Sequence, residues 1–450
     1  MKLNLLFPRH NGTVNIQRPQ PPTGLLTLGA YLKKVAPKVE VKVYDANAAS
    51  ENIIGDVTNA DIIGISTWFS NYDAGIVSTK QIRERNPSAM IVLGGPHAGA
   101  IPRRVLANNS GIDSVVSGDG EKAIAAIVRG ADPTSIPGLT YRDGSMIKTN
   151  PADYSLPLGD IPAFTLDNLV TPFEWIAQTN GALSSFPISQ FRGCFRIKRC
   201  NYCSLPVDGT RKSNPQSFWQ QVRVLHERYG IDSFFETADI FPIKLARRLA
   251  DAKPTSLKDI QFRVYIYPGM LRAKPQYAKD LRDMGVTTAF MGVENVRQFP
   301  DSSHFQKGYN RSFPRGYTTT DLIQEIRVLG DYGIRVMPGF VLGLPGETRN
   351  SLAANKELIQ EITELENVRE VSISPVIPLP GSAYFQKAIT NQSVLTEYKA
   401  LAFEDLKRTD KINYKLLTRL FTSQFTKVEP EDVINVVQAI TGIRVAHFGY

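Results

Sequence analysis

Cysteine is almost missing from this chain of 450 residues: there are three, Cys194, Cys200 and Cys203, all within ten positions. An odd, clustered set without an export signal points to a reducing compartment, so a cytoplasmic location is expected. No uninterrupted apolar run is long enough to span a bilayer, and the apolar stretch near Met1 is too short for a signal peptide; no membrane partner is expected. A strong charge bias is missing too, with 52 Lys and Arg against 43 Asp and Glu. The net charge of +9 is spread along the chain with no basic tail or arm, which fits a solvated basic surface or an anionic small ligand better than a nucleic-acid partner. No Gly-x-Gly-x-x-Gly follows the first strand-like stretch, so the dinucleotide fingerprint is absent. What is present is ordinary for a globular protein, 42% hydrophobic and 21% charged, and the length suits two or three domains.

The three cysteines stand in the order C-x5-C-x2-C. Thiolates this close can share one soft metal centre and leave a coordination position open, and the flanking Arg192, Arg196, Lys198 and Arg199 favour the charged form. The residues alone leave three readings: an iron-sulfur centre, a zinc site that needs a fourth ligand with His226 the nearest in sequence, or inert thiols, which the loop-type surroundings fit poorly.

Over residues 1–150 apolar strands alternate with amphipathic helices, and Gly or small polar residues follow the strands. Lys2 to Phe7, Val39 to Tyr44, Asp61 to Thr67, Met90 to Leu93 and Ser114 to Ser117 read as strands. This pattern predicts an α/β domain with an open parallel sheet that binds a ligand along the carboxyl edge of its strands. The order of Pro22-Thr23-Gly24-Leu25, Tyr44-Asp45-Ala46-Asn47, Gly64-Ile65-Ser66-Thr67, Gly94-Gly95-Pro96-His97 and Gly118-Asp119-Gly120-Glu121 resembles the Rossmann-like cobalamin-binding domain of one branch of radical S-adenosylmethionine (SAM) enzymes. The resemblance implies a corrinoid at Asn47, Ser66, Thr67, Gly94, Gly95, His97, Gly118 and Glu121. His97 reads equally as a cofactor contact or a helix-capping loop residue, and Trp68 and Phe69 either cover a flat macrocycle or close the core. The Asp-x-His-x-x-Gly signature that gives other cobalamin proteins a histidine for cobalt is absent, so a lower ligand of that kind is not expected.

Residues 151–183 are Pro-rich and aperiodic, which predicts an ordered linker. Beyond it six predicted strands, each but the last followed by a helix, make a partial (β/α)6 barrel over 184–385, with functional groups at the strands' carboxyl ends. Those ends carry Glu236-Thr237-Ala238-Asp239, Gly292-Val293-Glu294-Asn295, the run Gly339 to Thr348 with its Gly-Leu-Pro-Gly-Glu-Thr, and Pro378-Leu379-Pro380-Gly381-Ser382. With the cysteine triad these resemble the radical SAM core. The resemblance implies a [4Fe-4S] cluster on Cys194, Cys200 and Cys203, and SAM contacts from Tyr202, Glu236, Glu294, Gly339 and Gly343. The family's usual spacing is C-x3-C-x2-C, so Phe195 to Arg199 hold two extra residues. No further cysteines exist for a second cluster. Residues 386–450 read as mainly helical, and His304 and Arg315 fall in a long connection where a substrate loop is one reading and plain surface the other.

The implied function is a cobalamin-dependent radical SAM enzyme, a C-methyltransferase that activates an unreactive carbon of a small-molecule or peptide substrate through a 5'-deoxyadenosyl radical and methylcobalamin. An external electron donor such as flavodoxin or ferredoxin is implied with it. A non-methylating rearrangement, cyclisation or oxidation on the same cofactors, and a radical SAM RNA-modifying enzyme, stand as alternatives.

Overall fold

The computed structural model describes residues 1–10, 21–48, 53–179, 185–194, 199–205, 209–237, 239–306, 316–440 and 444–447. The chain divides into two compact units, Met1–Ser189 with Lys212–Ile231 and Lys407–Ile412, and Gln190–Arg211 with Asp232–Leu406 and Asn413–Tyr450.

The first unit is built on a seven-stranded sheet in the order Glu40–Asp45, Lys2–Phe7, Ile62–Ser66, Met90–Gly94, Ser114–Val116, Leu139–Asp143, Met146–Thr149. The first five strands run parallel, and Ile62, Ile63, Gly64 and Ile65 are all buried, as expected of a strand covered on both faces. Helices Thr23–Val35 and Tyr72–Arg85 supply cover, and their apolar stripes of Leu25, Leu26 and Leu32 and of Tyr72, Ile76 and Ile82 are buried. The expected all-parallel sheet is extended by an antiparallel hairpin, Leu139–Asp143 with Met146–Thr149, turned at Gly144 with φ +58°. The stretch read as a linker belongs to this unit: the Val43 N–H donates to Asn168 O at 2.7 Å, and Trp175 is fully buried.

The second sheet runs in the order Arg444–His447, Glu370–Pro375, Arg335–Leu342, Val286–Glu294, Gln261–Ile266, Ser233–Glu236, Phe186–Ile188. From Arg444–His447 through Ser233–Glu236 neighbouring strands pair parallel, and the helices Ile243–Asp251, Tyr277–Met284, Thr319–Asp331 and Arg349–Thr363 alternate with the strands. The mainly helical end expected from the sequence also contributes one strand, Arg444–His447, which pairs with Glu370–Pro375. Four helices precede it: Ala383–Thr390, Gln392–Ala402, Tyr414–Phe425 and Pro430–Ala439. No helix among the described residues is long and apolar enough to cross a membrane.

Candidate functional site

In the first unit the small residues singled out in the sequence gather at the carboxyl edge of adjacent strands. Thr67 is buried, and its N–H and its hydroxyl both donate to Gly94 O, at 2.9 and 3.1 Å. Gly95 adopts φ +87°, and a Cβ there would stand 2.6 Å from Thr67 O, so only glycine permits this turn to lie against its neighbour. Ser66 borders the same turn. Gly118, φ +83°, follows the next strand and Glu121 is buried in the helix that begins there. Asn47 is committed to the protein: it receives the His10 N–H at 2.9 Å and donates to Asp45 Oδ1 at 2.8 Å and to Pro8 O at 3.3 Å. Trp68 stays 47% exposed beside this edge, and Phe69 is half-buried.

His97 turns inward. Its ring lies 4.1 Å from that of Tyr72, and its Nε2 donates to Asp410 O at 3.1 Å. Burial lowers its pKa to about 4, so it is neutral at pH 7. Asp410 closes the cluster by accepting from Tyr72 Oη at 2.5 Å and Asn109 Nδ2 at 2.7 Å. Burial pushes the buried Asp45 up to about 6, although Asn47 and the Trp175 indole favour its charged form. His10 is a residue the sequence reading passed over. It is half-buried at the same edge, with Nδ1 2.7 Å from Ser70 Oγ, and burial lowers its pKa.

In the second unit strand Phe191–Cys194 delivers the first thiol, and a turn in which the Cys203 N–H donates to Cys200 O at 3.0 Å brings the other two together. Arg199 Nη1 ties down the loop through Leu205 O at 2.5 Å, and the Tyr384 N–H reaches Asn201 O at 3.0 Å. Phe195 to Lys198 lie outside the described residues. The expected help from flanking cations does not govern Cys203: burial pushes its thiol up to about 11, the Leu205 N–H opposes the rise, and Cys200, Asp239 and Cys194 add smaller upward contributions. Among the described residues no group of three or more His, Cys, Asp or Glu side chains converges on a single ion. A cubane asks for something else. Its irons are each ligated by one thiolate, and the three free thiols of this loop are donors of the kind such a cluster takes.

The strand ends around this loop carry two carboxylates. Glu236 is fully buried and accepts the Gln190 N–H at 3.2 Å through both oxygens, which fastens the start of the cysteine segment. Glu294 has the left-handed φ of +68° and follows a bulge that shifts the register between Gly292 and Glu294. Its carboxylate is so placed that a Cβ on Gly292 would stand 2.6 Å from Oε1. A bulge joined to a strained non-glycine residue re-aims a side chain, and such strain is retained where geometry serves function. Tyr202 is half-buried between the second and third cysteines.

Gly339 pairs with Gly292 across the strands, and a Cβ on it would meet the Phe290 ring at 2.6 Å, so its lack of a side chain makes room for that ring. Gly343, φ +76°, donates its N–H to Glu347 at 3.1 Å. Glu347 organises the Gly-Leu-Pro-Gly-Glu-Thr turn. Fully buried, it accepts from Asn295, Ser351 and Asn355 at 3.0–3.2 Å and lies 3.7 Å from Arg297 Nε. Burial raises its pKa while the Arg297 charge opposes that rise. Arg297 was missed because Leu344, Pro345 and Glu347 lie about fifty residues further on, and Asn355 because the Val296 N–H it accepts is equally distant; no sequence signal marked either. His304 sits in a turn, its N–H 3.2 Å from Ser302 Oγ, and Arg315 lies outside the described residues.

Residues 12–128 match the family described as B12 binding domain, and residues 188–359 match the Radical SAM superfamily. The chain therefore joins a B12-binding region to a radical SAM region. The chain is 22% identical over 413 residues to the uncharacterized methyltransferase PH0819 of Pyrococcus horikoshii, a match that covers 88% of the chain and 85% of the relative. It is 23% identical over 359 residues, 73% of its length, to the 2-(S-pantetheinyl)-carbapenam-3-carboxylate methyltransferase of Streptantibioticus cattleyicolor. An anaerobic magnesium-protoporphyrin IX monomethyl ester cyclase of Synechocystis is 26% identical over 276 residues, or 58% of this chain. The matches span about half of these last two relatives, 49% and 51%. Its fold is similar to the solved radical SAM methyltransferase TsrM of Kitasatospora setae, with a TM-score of 0.70 and 17% identity across 86% of this chain and 74% of that one.

Proposed function

We propose that this radical SAM protein methylates an unactivated carbon of a small-molecule or peptide substrate, using cobalamin, SAM and a [4Fe-4S] cluster in a reducing cytoplasm with an external one-electron donor. The observation that carries the reading is the presence in one chain of a small-residue strand edge and a three-cysteine loop, each in the domain whose family uses it. When bound, the cofactors supply the electron, the adenosyl radical and the methyl carrier. The chain's own residues do the holding. Cys194, Cys200 and Cys203 would hold the cluster through their sulfurs. Glu294, re-aimed by its bulge, accepts hydrogen bonds from the SAM ammonium or ribose, and Tyr202 lies against the adenine. Glu236 acts behind them by fixing Gln190. At the other edge the Gly94-Gly95 turn and Thr67 would allow backbone approach to a corrinoid, with the exposed Trp68 ring beside it.

Anaerobic reconstitution tests the assignment. Wild-type protein is expected to take up iron, sulfide and hydroxocobalamin with their absorption bands, and Cys200→Ala to lose the iron-sulfur bands while still binding cobalamin. Unchanged cluster content in that variant would sink the thiol assignment. The likeness to a cyclase favours a second reading, a reaction without methyl transfer. Methyl-labelled SAM separates them: label in the product supports methylation, and a transformed product without label supports the second reading.

A further inference from the structure

In the first sheet Lys2–Phe7 lies between Glu40–Asp45 and Ile62–Ser66, so the chain leaves Lys2–Phe7 toward one side and Ile62–Ser66 toward the other. A crevice opens at the carboxyl ends of two such neighbours, and open parallel sheets take their ligands there. His10 follows the first of these strands and Ser70 the second, and they meet: His10 Nδ1 is 2.7 Å from Ser70 Oγ. The segment that carries the ring is fixed from both sides. Asn47, beyond Glu40–Asp45, accepts the His10 N–H at 2.9 Å and donates to Pro8 O at 3.3 Å, while Asn71 donates to the same oxygen at 3.2 Å. The Phe7 ring meets the imidazole edge-on, with 5.3 Å between centres. Nε2 makes no hydrogen bond among the described residues. Burial lowers the pKa of the ring, which keeps it neutral at pH 7. His97 offers no such nitrogen, because its Nε2 is spent on Asp410 O.

We infer that His10 Nε2 is an axial ligand to the cobalt of the bound corrinoid, with Ser70 orienting the ring. The inference rests on the corrinoid binding proposed above. Neutral imidazole suits a first-row transition metal, and a hydrogen bond at the other ring nitrogen fixes the tautomer of a ligating histidine. With Nδ1–H donating to Ser70 Oγ, the lone pair sits on Nε2. The step is a ligand exchange: that lone pair enters the cobalt coordination sphere, a water leaves, and no proton or electron moves. The Asp-x-His-x-x-Gly signature is absent, and a hydroxyl 60 residues away takes the orienting part.

The test uses reconstituted full-length protein and cobinamide, a corrinoid without a nucleotide base and so without an axial nitrogen of its own. With the cobinamide reduced to cobalt(II) and the cluster kept oxidised and EPR-silent, each cobalt line should split into a triplet from one nitrogen. Protein grown on nitrogen-15 histidine should turn the triplets into doublets. His10→Ala should still take up cobinamide, followed by its absorption bands, but lose the splitting. In Ser70→Ala the share of nitrogen-ligated cobalt should fall about tenfold, and an unchanged share would overturn the orienting role. His97→Gln should keep the triplet. An unsplit wild-type spectrum, a triplet that survives His10→Ala, or one lost in His97→Gln would overturn the ligand. Corrinoid bound without nitrogen splitting removes His10 alone and leaves the proposed function standing. Wild-type protein that takes up no corrinoid overturns both. The isotope comparison needs no variant, so it decides for a histidine ligand even if His10→Ala does not fold, and His97→Gln then decides which.

Discussion

Two titrating side chains at the first sheet's edge work in opposite directions. His97 is held near pKa 4, below its ordinary 6.5. A depressed base contributes stability that is fully present above 6.5 and is lost as pH falls through about 4, amounting to about 3 kcal/mol for such a shift. Denaturant midpoints measured from pH 7 down to pH 4 should therefore fall in the wild type and fall less in His97→Gln. Asp45, raised to about 6, is an acid whose stabilising share is present below its unfolded value of 3.8 and is lost as pH rises through 6. Asp45→Asn keeps an oxygen for the Asn47 N–H and removes the buried charge, so its melting temperature at pH 8 should exceed that of the wild type and the gain should vanish near pH 4. An unchanged or lower value at pH 8 contradicts this. Both residues were legible as strand-end positions. The direction His97 faces was not, because Tyr72 and Asp410 stand far from it in the chain.

The parallel strands and their helices were legible because short apolar runs alternate with helical periods, and most observed ends fall within about two positions of those expected. Strand Arg444–His447 was not, since four residues carry too little alternation and its partner Glu370–Pro375 lies far upstream. Asp143-Gly144 was a readable hairpin signal that the reading for parallel strands passed over. The turn after Arg335–Leu342 shows the limit of motif reading. Gly-Leu-Pro-Gly-Glu-Thr marks the turn, but Glu347 owes its place to Asn295, Arg297, Ser351 and Asn355. Removing one member of a buried ion pair leaves the other uncompensated, so Glu347→Gln should lower unfolding free energy by about 3 kcal/mol in urea titration. Gly339→Ala should cost about 1–3 kcal/mol, because the Phe290 ring must shift, and a neutral result would mean that the ring moves freely.

At the scale of the molecule, the linear domain ranges read from the sequence do not coincide with the compact units. Residues 151–183 and 212–231 complete the first unit, and so does the short segment Lys407–Ile412 from near the end of the chain. Nothing in the composition of that segment announces this; the information lies in Asp410, whose partners Tyr72, His97 and Asn109 can be named only once the chain is folded. Asp410→Ala strands the Tyr72 hydroxyl and the Asn109 amide in a buried site, at a cost of about 1–3 kcal/mol. Limited trypsin digestion should then cut earlier at Lys407, Arg408 or Lys411 than in the wild type, and equal digestion rates would show that the segment is held by other means.

The Asp410 anchor also has a consequence for synthesis. A ribosome releases Tyr72, His97 and Asn109 long before it makes Asp410, and domains generally fold in the order in which they emerge. The N-terminal sheet must therefore wait, with a neutral histidine and a phenol lacking their final partner, until almost the whole chain has left the tunnel. A ribosome stalled before residue 407 would hold a first unit that has its strands but not its last closing segment.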